Sequence, residues 1–74
     1  MDERARYVEA EPLYRRALTI YERALGPDHP HAAIVLDNLA SVLEQTERSE
    51  EALKLRARAE EVRARHARAN PIVE

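Results

Sequence analysis

At 74 residues, with 45% apolar and 35% charged side chains, the chain holds one domain at most, and a core this small is marginal without outside support. A formal net charge of −2 gives no general pull toward nucleic acid, and the lack of cysteine excludes a disulfide framework, a thiolate zinc site and a cysteine nucleophile. No apolar run reaches the roughly 18 residues needed to span a bilayer, and Met1-Asp2-Glu3-Arg4 does not open a signal peptide, so the chain reads as soluble and, by default, cytoplasmic.

Abundant Ala, Leu, Glu and Arg with a single glycine describe helices, because these side chains lose little rotamer freedom there. In the first element, about 8–25, Ala10, Leu13, Ala17, Ile20 and Ala24 recur at three- and four-residue spacing and form one face. Tyr14, Leu18, Tyr21 and Leu25 form a second face beside it, so this helix is expected to touch two neighbours. Pro12 falls in its first turn, where the missing N–H costs nothing, and Gly26-Pro27 stops it.

Asp28 or His29 can cap the second helix, about 30–45, with Pro30 in its first turn. Ala33, Val35, Leu36, Leu39, Ala40, Val42 and Leu43 cover most of its surface and leave Asp37, Asn38, Ser41, Glu44 and Gln45 as a narrow polar strip. It is expected to be the most buried of the three. After a turn at Thr46-Glu47-Arg48-Ser49, with Ser49 as N-cap, the third helix runs over about 49–69. Its stripe is Ala52, Leu55, Ala59, Val62, His66 and Ala69, and the tail 70–74 is expected to be mobile.

An internal duplication links the outer helices. Sliding the sequence by 42 sets Arg6 on Arg48, Glu9 on Glu51, Ala10 on Ala52, Leu13 on Leu55, Arg16 on Arg58, Ala17 on Ala59, Ile20 on Val62 and Arg23 on Arg65. Helices one and three are therefore two copies of one unit with helix two between them. Such a unit cannot bury its apolar faces alone and stacks on copies of itself.

The strings Tyr7-Val-Glu-Ala-Glu-Pro-Leu-Tyr-Arg-Arg-Ala-Leu18, Ala24-Leu-Gly-Pro-Asp-His-Pro30 and Leu36-Asp-Asn-Leu-Ala40 resemble the kinesin-light-chain type of tetratricopeptide repeat over about residues 6–66. The resemblance implies an all-α helical-repeat solenoid fragment of three antiparallel helices, acting as a non-catalytic scaffold for a protein or peptide. It also implies that Leu39, Ala40, Leu43, Ala52 and Ala59 hold fixed packing positions. Two positions depart from the family pattern: Glu47 stands where a glycine is usual, and Ser49 where an aromatic is usual. In related repeats the concave groove is lined by the first helix of each pair, positions held here by Ile34, Asp37, Asn38, Ser41 and Gln45. Asn38 matches the asparagine that holds an extended peptide backbone, a task suited to an amide that both donates and accepts.

Tyr14, Leu18, Tyr21 and Leu25 become Arg56, Glu60, Arg63 and Ala67 in the second copy, a polar outer face that marks helix three as a C-terminal cap. The face Ala10, Leu13, Ala17, Ile20 and Ala24 has no partner in the chain. Its expected cover is either the rest of a longer array or a second copy, with an isologous homodimer as the simplest closed form.

Other chemistries find little support. His29, His31 and His66 lack the spacing of a helical zinc site, so neither a metal nor another cofactor is expected. Lys54, Arg56, Arg58, Arg63, Arg65 and Arg68 make helix three basic, but no aromatic accompanies them and nucleic acid is disfavoured. Neither a glycine-rich phosphate loop nor a nucleophile elbow is present, and an enzyme is not expected.

Overall fold

The computed structural model describes residues 3–69, without the side chains of Glu3 and Ala69, so the tail 70–74 and the side chain of the last stripe position, Ala69, lie outside what is described. Three helices follow one another, α1 (Glu3–Leu25), α2 (Pro30–Gln45) and α3 (Ser49–Ala69), with no strand among the described residues. α2 packs against both neighbours, whereas the backbones of α1 and α3 do not approach one another.

α1 starts at Glu3, ahead of the expected start near residue 8, and Pro12 therefore sits inside the helix. Proline has no N–H to return to the carbonyl of Val8, so one rung is missing from the ladder on an exposed stretch. Leu25 ends the helix and Gly26 follows at φ 96°, with its N–H still donating to the Glu22 carbonyl at 3.1 Å. Of the two capping candidates for α2 the structure uses His29, whose Nδ1 accepts from the His31 N–H at 3.1 Å, with Pro30 in the first turn.

The α2–α3 turn is a Schellman arrangement. The Arg48 N–H donates to the Leu43 carbonyl at 2.8 Å and the Glu47 N–H to the Glu44 carbonyl at 3.4 Å, which requires a left-handed residue between helix and turn. That residue is Glu47, at φ 64°. Thr46 adds a hydroxyl bond to the Val42 carbonyl at 3.1 Å. Ser49 is the first residue of α3 and not its cap; the carbonyl of Arg48 accepts the first bond, from the Ala52 N–H at 3.1 Å.

Glycine is the residue that adopts a left-handed backbone without Cβ strain, so Glu47 and Gly26 give mirrored expectations. Glu47→Gly is expected to raise stability by about 0.5–1 kcal/mol, and Gly26→Ala, which meets no neighbouring atom, to lower it by a similar amount through backbone strain alone. Urea denaturation of the two variants checks both signs.

The core belongs to α2. Ala32, Ala33, Leu36, Leu39, Ala40 and Leu43 are fully buried and Val35 and Val42 nearly so, whereas among the described side chains α1 buries only Leu18 to that degree and α3 Ala52, Ala59 and Val62. One cluster joins Leu18, Ala32, Ala33, Val35, Leu36, Ala59 and Val62, with Tyr14, Ala17 and Tyr21 packed on it. A second joins Leu39, Ala40, Leu43 and Ala52, and Tyr14 and Leu55 touch both. The alanines let three helices approach closely while the leucines of α2 fill the space between them. Two stripe positions fall outside: Leu25 is 47% exposed, and His66, expected on the α3 stripe, is exposed.

Candidate functional site

With one side of α2 buried between α1 and α3, the opposite side is fixed in direction. Ile34, Asn38, Ser41 and Gln45 are exposed on it and Asp37 is half-buried at its edge. Ile34 is 53% exposed in a helix otherwise apolar toward the core. The strip divides by electrostatics. Asp37 accepts from Arg63, and Ser41 accepts from Arg56 at 3.2 Å while Arg56 also pairs with Glu44. Ile34, Asn38 and Gln45 make no side-chain hydrogen bond among the described residues and point outward from the same side of the helix.

Arg56 and Arg63 were expected to belong to a solvated outer face of the last helix. Instead they reach across to the carboxylates of α2, and the Arg56 guanidinium is held in its charged form first by its hydrogen bond to Glu44. A sequence signal existed: both arginines replace the tyrosines that α1 turns toward α2, so they inherit a position facing that helix.

A second set of ion pairs joins α1 to α3 on the far side of the core. Glu11 accepts from Arg48 at 2.7 Å and from Arg15 at 3.0 Å, and Arg15 reaches Glu51 at 2.8 Å. Glu22 pairs with Arg58, and Asp28 with Arg65 at 3.1 Å. Partial burial pushes the Glu11 carboxyl up, but the bonds from Arg48 and Arg15 outweigh it and hold Glu11 below the ordinary glutamate range. The bond from Arg15 likewise lowers Glu51.

A carboxylate lowered in the folded state contributes stability that is present above its unfolded value, about 4.3, and lost as pH falls through the folded value. Stability is therefore expected to decline below about pH 4, and Glu11→Gln to flatten that decline. Thermal melts between pH 7 and pH 3 measure it.

The α1 face of Ala10, Leu13, Ala17, Ile20 and Ala24 is exposed in part. Leu13 is 65% and Ile20 55% exposed, and Ala24 is exposed. Ala10 is half-buried, and Ala17 sits at the seam, half-buried against the first core cluster. His29 and His31 lie side by side, with His31 also 5.7 Å from the Tyr21 ring, and His29 and His66 line one cleft with Leu25, Gly26, Pro27, Asp28 and Arg65, where Arg65 is paired with Asp28 and Glu61. Among the described residues no three His, Cys, Asp or Glu side chains come together as metal ligands, and no helix is long and apolar enough to cross a membrane.

Three helices in antiparallel succession, the outer two copies of one sequence unit and the middle one shared between them, define a helical-repeat protein. The tetratricopeptide repeat family model matches residues 3–65, and the chain belongs to that family. No curated protein and no solved structure matched it. Tetratricopeptide repeats generally mediate protein–protein interaction and form a non-enzymatic fold.

Proposed function

We propose that the chain binds an extended peptide or protein segment along α2, through Ile34, Asn38 and Gln45 with Asp37 and Ser41 at the edge, and that it forms the C-terminal end of an array of the kinesin-light-chain-like type. The observation that carries this reading is the state of Asn38: an exposed amide without an internal partner, on a helix whose other side is wholly buried. A side chain on so rigid a support loses little further freedom on binding. Ile34 supplies an apolar contact one turn away, and the amides of Asn38 and Gln45 can each donate and accept along a peptide backbone. The terminal position is supported by Arg56, Glu60 and Arg63, which stand where α1 carries Tyr14, Leu18 and Tyr21.

The test starts from a random peptide library selected on the intact chain. Asn38→Ala is expected to weaken the selected peptides by about 5- to 30-fold, the worth of one or two hydrogen bonds, with the thermal melt unchanged. Binding that Asn38→Ala leaves unaltered would remove Asn38 from the site.

A second reading, assembly through α1, is favoured by the exposure of Leu13 and Ile20. In its simplest form two copies pair isologously across Ala10, Leu13, Ala17, Ile20 and Ala24. Sedimentation of the chain at micromolar concentration distinguishes dimer from monomer.

A further inference from the structure

The first turn of α2 is held by two histidines that take up protons on different terms. His29 Nδ1 accepts from the His31 N–H at 3.1 Å, so this nitrogen is bare while the cap is in place. His31 Nδ1 lies 3.2 Å from the same atom. With His29 Nδ1 bare, the hydrogen bond between the rings runs in one direction, from His31 Nδ1–H to His29. His29 therefore carries its proton on Nε2 and His31 on Nδ1, in rings 4.9 Å apart.

The two rings respond to acid in opposite ways. A proton added to His31 enters at Nε2 and leaves both bonds intact. A proton added to His29 enters at Nδ1 and removes both, because an N–H then faces two donors. Rotating the ring relieves that conflict but leaves the start of α2 without its cap. Nothing around the pair offsets the added charge. The N-terminus of α2 presents the positive end of the helix dipole. From α1, the Tyr21 ring and Leu25 offer no counter-charge. In the linker, the Asp28 carboxylate is engaged by Arg65. From α3, Arg65 and His66 line the cleft with His29; Arg65 is balanced by Asp28 and Glu61, and a protonated His66 adds a further positive charge.

We propose that His29 and His31 make the start of α2 a pH-sensitive latch, closed while His29 Nδ1 is bare and opened by one proton on that atom. The latch acts on the whole fold. Ala32 and Ala33, in the turn it holds, are fully buried in the cluster that Leu18 of α1 and Ala59 and Val62 of α3 share with α2. Free histidine takes its proton near about pH 6.5, so stability contributed by a bare Nδ1 is present above that value and lost as pH falls below it. This range lies above the one in which Glu11 and Glu51 lose their charge. The latch depends neither on a ligand at Asn38 nor on assembly through α1.

Two measurements on the intact chain test it. Long-range proton–nitrogen NMR spectra at pH 7.5 are expected to show His29 protonated at Nε2 and His31 at Nδ1; a proton on Nδ1 of His29 would overturn the proposal. Urea denaturation at pH 7.5 and pH 5.5 is expected to show the folding equilibrium constant falling about 3- to 10-fold, the worth of an N-cap limited by the uptake of one proton. His29→Asn supplies a side chain that caps well without titrating, and is expected to hold the fall below about twofold. His66→Gln is expected to keep a fall of at least about threefold, because the cap it leaves in place is the one that titrates. Equal stability at the two pH values contradicts the latch, as does a fall that His29→Asn retains or that His66→Gln abolishes.

Discussion

Leu36→Ala is expected to remove a large share of the chain's stability at room temperature. Leu36 has no accessible surface and sits in the cluster where Leu18 of α1 and Ala59 and Val62 of α3 meet across α2. Truncating such a leucine costs about 2–5 kcal/mol, the transfer of the lost atoms plus a cavity that helices already in close contact cannot collapse. A domain of this length has on the order of 4–11 kcal/mol in all. Urea denaturation followed by circular dichroism should show the midpoint falling by a comparable share. The contrast is Leu13→Ala: with 65% of Leu13 exposed, the same chemical change should be nearly silent in the isolated chain.

The second large effect has the opposite geometry. Ala59 is fully buried among Ala32, Ala33 and Leu36 of α2, and a methyl is all the contact accommodates. Ala59→Leu inserts three carbons into that seam and is expected to cost about 1–3 kcal/mol by forcing α3 away from α2. The displacement should also weaken the Arg56 and Arg63 contacts to Glu44 and Asp37 that span the same two helices. A lowered urea midpoint with increased salt-insensitivity of the melt would register both. If Ala59→Leu melts like the original chain, α2 and α3 do not pack through their alanines.

Much of the fold was legible because helical periodicity and duplication state the same thing. The stripe Ala52, Leu55, Ala59 and Val62 repeats the one in α1, and the pattern of α2, apolar over most of its circumference, marks it as the helix between them. The start of α1 was not legible from Pro12, because a proline at an exposed helix position leaves the chain before it free to continue as helix at a modest local cost. The turn at Glu47 was readable only through the family pattern: a glutamate gives no local sign of a left-handed backbone, and it is the Schellman bonds of Arg48 that impose one. Of the α2 strip, exposure followed from periodicity, but the capture of Asp37 and Ser41 by Arg63 and Arg56 depends on how α3 lies against α2, which no spacing along either helix encodes.

Native-state hydrogen exchange of the single chain tests most directly whether α2 is the shared, rigid element on which the binding strip depends. The amides of Leu36 to Leu43 are expected to exchange slowest, at the rate set by global unfolding, with those of α1 ahead of Pro12 fastest among the helices. Exchange in α2 as rapid as at the start of α1 would contradict it, because a helix that opens on its own cannot hold Asn38 in place or join two copies of the repeat.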